Sequence, residues 1–262
     1  LELNETYHFA ARNPIDLIQP FNKDRTIAEK GVVVGCNAAF EWMLKWWWNY
    51  YSQHNDYPVA FVNAGMSREA HEWCLAHGCV LDFSNTLLQG DENDKVFGIE
   101  HGWKAFAPLY APFERIAWID LDCEVAANID DLFDYANKLA LARDPFFHKT
   151  RLGRKLRESK LIPEGEQFYN SGVIAVRQAS PLLLKWAAES VNGIDGWRHS
   201  DQHILQGLVC QYPDFFEELP ERFNKLAPYK HADTLHDAAI LHRLASHPHS
   251  LQVIRKQADG LN

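Results

Sequence analysis

Asp120-Leu121-Asp122 closes the apolar run 116–119, and its two carboxylates stand two residues apart. Ile and Trp in that run favour a strand, and the run is short enough to be one. Side chains alternate along a strand, so Asp120 and Asp122 are expected to point to the same side. Carboxylates held that close repel each other unless a cation sits between them. Oxygen donors of this kind suit magnesium or manganese better than zinc. The competing reading is that the acids merely cap the turn or helix that follows. Next along the chain, Asn128-Ile129-Asp130-Asp131 reads as a structural helix start, with Asn128 or Asp130 as cap and Leu132 and Phe133 packing inward.

The flanking elements must place these acids. The segment 31–35, Gly-Val-Val-Val-Gly, is a buried-strand signal, followed by Cys36-Asn37 and a helical run over 38–53 that carries Phe40, Met43, Leu44, Trp47 and Trp48. Asn37 therefore falls at a strand's carboxyl end, where open α/β sheets bind ligands; as a plain helix cap it would fit equally well. Strands are expected over 58–63 and 80–83, a helix capped by Ser67 over 67–77, a polar loop over 89–94 and a helix over 103–110. Strands alternating with helices imply a mostly parallel sheet. Beyond the acids, 139–143 reads as a strand ended by Asp144-Pro145. The basic stretch 149–160 reads as a solvated helix face, the alternative being a loop that contacts phosphates or an acceptor. The segment 168–176 is a turn feeding a strand, 181–191 an amphipathic helix and 203–210 a helix for which Ser200 or Asp201 fits as N-cap. The segment 209–223 reads as mostly loop, and 238–241 as a short strand followed by His242, which taken alone is a structural histidine. These elements describe a single α/β domain over 1–262, with a lead-in over 1–30 that has room for one short helix, a core over 31–245 and a tail over 246–262.

The chain has 262 residues, 47% hydrophobic and 23% charged, within the range of a globular protein with a substantial core. A net charge of −9 argues against nucleic-acid binding, which needs a basic surface. Nine tryptophans suit either a large core or stacking on sugars and bases. Five cysteines without a C-x-x-C pair read as reduced thiols of a reducing compartment, hence cytoplasmic, and not as a disulfide framework or zinc site. No apolar run approaches the ~18 residues of a membrane span. The sequence begins at Leu1, not Met, as a removed tag, a processed leader or a cut from a longer protein would leave it.

Several separated segments, in this order, resemble glycosyltransferase family 8, the glycogenin-like and bacterial galactosyltransferase-like enzymes. They are GCNAAF, Lys104, IDLDCEVAANIDDLF, ARDP, FYNSGVIAV, SDQHIL, ELPERFN and ILHRL, spanning roughly 31–245. The resemblance implies a single GT-A domain, with a mixed, mostly parallel sheet flanked by helices, that moves a hexose from a nucleotide diphosphate sugar, usually a UDP-sugar, to a carbohydrate or glycoconjugate acceptor with retention. It further implies a manganese or magnesium ion on Asp120 and Asp122, with His242 as third ligand. Asn37 and Phe40 would contact the base and ribose, Lys104 and Asp144 the sugar, and Asn170 and Ser171 the acceptor side. Asp201 and Gln202 would lie closest to the anomeric carbon.

Two departures stand out. The acid that reads uracil in the family is missing around Ala38 and Phe40. The family's C-terminal His-x-x-Gly-x-x-Lys is replaced by a run from His242 to His249, where Arg243 or His247 is the available substitute for the residues that hold the diphosphate. Three alternatives compete. An Asp-x-Asp phosphatase would need Thr or Val where Glu124 stands, and a nucleotidyltransferase would need a Gly-rich loop after Gly35. A non-catalytic nucleotide-sugar or carbohydrate-binding module of the same fold fits the altered C-terminal motif.

Overall fold

The structure, a computed structural model, describes residues 3–8, 26–83, 99–158, 162–192, 201–227, 237–245 and 248–261. The expected loop over 89–94 and most of the lead-in, including the short helix allowed for it, lie outside them. Four parallel strands grow from the first strong apolar run: β2 (Ala28–Cys36) pairs with β3 (Val59–Asn63) on one side and β5 (Phe113–Ile119) on the other, and β3 pairs with β4 (Cys79–Asp82). Alternation sorts their side chains into two cores. Val32, Val34 and Phe61 face one, and Val33, Ala60 and Val62 face the other. The first is covered by α1 (Leu44–His54), α2 (Arg68–His77) and α7 (Pro248–Asp259), the second by α3 (Ile99–Tyr110), α5 (Pro181–Asn192) and α6 (Asp201–Gln211).

The sheet changes direction beside β5. There β8 (Tyr169–Arg177) runs antiparallel, followed by antiparallel β7 (Leu139–Arg143); with β1 (Thr6–His8) and β9 (Phe216–Glu218) at the two edges, the eight-stranded order is β1-β4-β3-β2-β5-β8-β7-β9. A second, three-stranded sheet is built from β6 (Cys123–Val125), β11 (Ile240–His242) and β10 (Lys225–Leu226). The expected mostly parallel sheet between helix layers is thus the observed one.

Some elements differ from expectation. The lead-in supplies an edge strand, β1 (Thr6–His8), beside β4, and the tail forms α7. The polar stretch 209–223 holds β9 (Phe216–Glu218), parallel to β7. These are short or half-exposed elements whose periodicity is faint, and pairing with a neighbour supplies the order that local pattern does not. Asn128 caps nothing α-helical: its Oδ1 accepts from Asp130 N–H at 2.8 Å and opens a 3₁₀ segment, Asp130–Asn137, with Leu132 and Phe133 buried as expected. The basic stretch is the helix α4 (Arg151–Glu158), with Arg154 and Lys155 exposed. Among the described residues, no helix is long and apolar enough to cross a membrane.

The helix α7 is anchored by Ile254, fully buried in the first core, and by Gln257, whose Oε1 accepts from Trp46 Nε1 at 3.1 Å. Ile254→Ala is expected to cost about 2–5 kcal/mol of stability, read as a lowered midpoint in urea unfolding. An unchanged midpoint would show that α7 is not part of the folded core.

Candidate active site

The strand β5 ends at Ile119, so Asp120 and Asp122 lie not in the strand but in the turn after it, closed by Cys123 N–H to the Asp120 carbonyl at 3.0 Å. Their side chains are aimed by that turn instead of by strand alternation, and each carboxylate meets its own partners. Asp120 accepts from Lys104 Nζ and from Trp118 Nε1, both at 2.7 Å. Asp122 faces His242 Nε2 at 3.3 Å and accepts from Ala245 N–H at 2.7 Å. Burial pushes the Asp120 carboxyl above its ordinary pKa, and Lys104 only partly offsets it. Burial also penalises Asp122, but the His242 imidazole and the Ala245 N–H outweigh it and hold Asp122 at about 2. For His242 burial alone would lower the pKa; the facing Asp122 carboxylate wins and raises it.

The second wall is β8. It pairs with β5 without interruption, but its register with β7 shifts between Leu141, opposite Ile174, and Ala142, opposite Asn170. The extra residues, Ser171, Gly172 and Val173, are bulged away from β7 beside the two acids, a device that re-aims side chains at a sheet's functional edge. Ser171 N–H and Oγ both meet Gln202 Oε1, at 3.2 and 3.3 Å, and Lys104 Nζ reaches the Ser171 carbonyl at 3.3 Å. Asn170 Nδ2 points to Asp144 Oδ2 at 3.5 Å, while Asp144 Oδ1 accepts from Phe146 and Phe147 N–H.

Gly172 N–H donates to Asn170 Oδ1 at 2.8 Å, which fixes that atom as the acceptor. Asn224 Nδ2 donates to the same oxygen at 2.9 Å, so the Asn224 Oδ1 must be the acceptor toward His242 Nδ1, 3.0 Å away. The His242 Nδ1 therefore carries hydrogen, and Nε2 is the atom turned to Asp122. One continuous network thus joins Lys104, Asp120, Ser171 and Gln202, and another joins Asp144, Asn170, Asn224, His242 and Asp122. Trp118 and Asn224 were not singled out from the sequence. Trp118 is the residue two before Asp120, and Asn224 closes the ELPERFN segment, the one sequence signal that touches it.

Other expected residues stand apart. Asn37 Oδ1 accepts from Ala39 and Phe40 N–H, so it caps its own turn after β2, while Phe40 is an exposed aromatic. Asp201 opens α6, next to Gln202, and its side chain lies outside what is described. Arg243 is not available as a substitute for the missing diphosphate lysine. It is buried against Glu124, pairing through Nε at 3.0 Å and through Nη2. His247, the other substitute, lies outside the described residues.

The donor set fits a divalent cation. The Nε2 of His242 is oriented from behind by Asn224, and Asp122 stands opposite it at 3.3 Å, so both present a donor atom to the space a cation would take. Asp120 uses both carboxylate oxygens on Lys104 and Trp118, and each oxygen retains a second lone pair.

No protein-family model matches the chain, and no curated protein matches its sequence. Solved structures do. Galactosyltransferase LgtC in complex with donor and acceptor sugar analogs is 17% identical, with a TM-score of 0.57, covering 88% of this chain and 96% of its own. Mouse xyloside xylosyltransferase 1 is 17% identical with a TM-score of 0.56, covering 85% of this chain and 99% of its own. WbbM, a bifunctional glycosyltransferase, is 14% identical with a TM-score of 0.61; the match covers 87% of this chain and 50% of WbbM. The fold is that of the GT-A glycosyltransferases.

A Cβ on Gly172 would come within 2.1 Å of His242 Cε1 and 2.4 Å of Nδ1, so the imidazole fits only over a glycine. Gly172→Ala is expected to displace His242 and cost about 1–3 kcal/mol by overpacking. The check is the His242 imidazole signals in NMR together with urea unfolding; unmoved signals would refute the close packing.

Proposed function

We propose that this chain is a metal-dependent glycosyltransferase that moves a hexose from a nucleotide diphosphate sugar, a UDP-sugar, to a carbohydrate or glycoconjugate acceptor with retention. The observation that carries this reading is the paired networks at the carboxyl end of β5 and the amino end of β8, which gather Lys104, Asp120, Asp122, Asp144, Asn170, Ser171, Gln202 and His242 within a GT-A fold. Manganese or magnesium, held by Asp120, Asp122 and His242, would supply charge neutralisation for the departing nucleoside diphosphate.

The chain's own residues do the rest. Lys104 stays beside Asp120, adding a positive charge near the leaving group. Phe40 offers an exposed ring for the base. Asp144 and Asn170 accept and donate to sugar hydroxyls from a preset geometry. The carbonyl of Gln202 is occupied by Ser171, which leaves its amide N–H groups for the sugar. Asp201 and Gln202 position the sugar, and the leaving phosphate takes the acceptor's proton on the same face. Such positioning supplies up to ~7–11 kcal/mol in well-oriented systems. All five cysteines are free thiols, which suits a reducing, cytoplasmic setting.

Two outcomes are expected. With manganese, a UDP-hexose at about 100 times its Kd should stabilise the protein by about 2.7 kcal/mol, a rise in Tm of roughly 5–10 °C. Without manganese, or in Asp122→Ala, the rise should vanish while the unliganded protein stays folded by circular dichroism. If Asp122→Ala responds as the wild type does, the cation assignment is wrong. For the stereochemistry, the product's anomeric configuration by NMR should match the donor's. Intact-protein mass spectrometry with a slow donor should show no sugar on Asp201. An inverted product would reject retention, and a glycosyl adduct on Asp201 would reject the front-face route.

A further inference from the structure

Cys123 and His242 are register partners in the antiparallel β6–β11 pair. Residues directly opposite on such strands carry their side chains on one face, with Cβ atoms ~4.5–5.5 Å apart. Asp122 precedes Cys123, and its carboxylate faces the same imidazole. One ligand atom from each of Asp122, Cys123 and His242 lies within 4.8 Å of the other two, the one such cluster among the described residues. Asp120 is not part of it, being turned to Lys104 and Trp118.

We propose that Asp122, Cys123 and His242 form a binding site for a thiophilic divalent cation, zinc foremost, with a fourth position open to water or a ligand oxygen. This inference rests on the proposed function only in sharing Asp122 and His242 with the cation site named there. Thiolate, imidazole and one carboxylate are donors that zinc favours, and three protein ligands with an open position is a recurrent zinc arrangement. The shell behind the ligands is already set. Asn224 holds His242 Nδ1, Ala245 N–H holds Asp122 Oδ2, and Gly172 leaves the room that the imidazole needs. The sulfur is lightly engaged: among the described residues, the hydrogen-bond acceptor of Cys123 Sγ is the Gly172 carbonyl, at 3.9 Å. On binding, the S–H bond breaks, the S–Zn bond forms and the proton passes to solvent. The absence of a C-x-x-C spacing hid these ligands, because Cys123 and His242 meet across strands that are distant in sequence. Since both ligand sets need Asp122 and His242, zinc and manganese exclude each other.

The test uses the full chain stripped of metal. Cobalt should give a thiolate-to-cobalt charge-transfer band in the near ultraviolet, and one equivalent of zinc should abolish it. Cys123→Ser should lose the band and weaken zinc binding at least about tenfold, while manganese affinity holds. Cys210→Ser, a control for the most accessible thiol, should keep the band. X-ray absorption on the wild-type zinc protein, which needs no variant to fold, should show one sulfur at ~2.3 Å from zinc. A wild-type protein without the band, a band surviving Cys123→Ser, zinc bound by nitrogen and oxygen alone, or manganese affinity falling as far as zinc affinity would each overturn the site. Manganese-dependent donor hydrolysis is decided separately. Its loss with zinc–sulfur coordination intact sinks the functional reading alone; its presence without the sulfur signature sinks this one alone.

Discussion

Three acids in alternate positions, Asp120, Asp122 and Glu124, are carried out of bulk water where β5 turns into β6, and each is met by a basic side chain. Removing a carboxylate from water without a partner costs several kcal/mol, so compensation is a condition of folding here. The partners come from distant parts of the chain: Lys104 from α3, His242 from β11 and Arg243 from the residue after it. The turn therefore forms only when α3 has docked on the large sheet and the C-terminal strand has closed the small one.

The middle pair is the most constrained. His242 is wedged over Gly172, hydrogen-bonded behind by Asn224 and faced in front by the Asp122 carboxylate. The glycine lies in the bulge of β8, so the irregularity that re-aims Asn170 and Ser171 also makes room for the imidazole. A regular β8 would keep its ladder with β7 and lose both. The sheet's reversal of direction at β8 is what brings these side chains beside the end of β5, since a parallel strand would present its other end there.

The large strands and helices were legible because their apolar periodicity is strong: the triple valine of β2, the aromatic stripe of α1 and the Ser67 cap of α2 all say locally what the structure says globally. The Asp-x-Asp acids were legible as a site by residue type. Their geometry was not, because strand alternation stops at Ile119 and a turn takes over. Arg243 looked free because its sequence neighbours are a histidine and a leucine; Glu124, its partner, is fixed only by the β6–β11 pairing. Asn37 had two equal readings, and its side chain is spent on the turn. The edge strands β1 and β9 are three residues each and draw their order from the sheet, which no local pattern encodes.

The sequestration of Arg243 bears on how the proposed donor would be held. A diphosphate needs positive charge, and the lysine-bearing C-terminal motif of the family that the sequence resembles is replaced here. With Arg243 neutralised by Glu124, the described cation nearest the acids is Lys104, already shared with Asp120. Net charge near the leaving group then depends on what occupies the space between Asp122 and His242 more heavily than in a site with its own lysine. A divalent ion there adds positive charge in a buried setting, where charge is weakly screened. On the proposed reading, the C-terminal substitution and the tight Asp122–His242 pairing act together, shifting the burden of holding the diphosphate from side chains onto the ion.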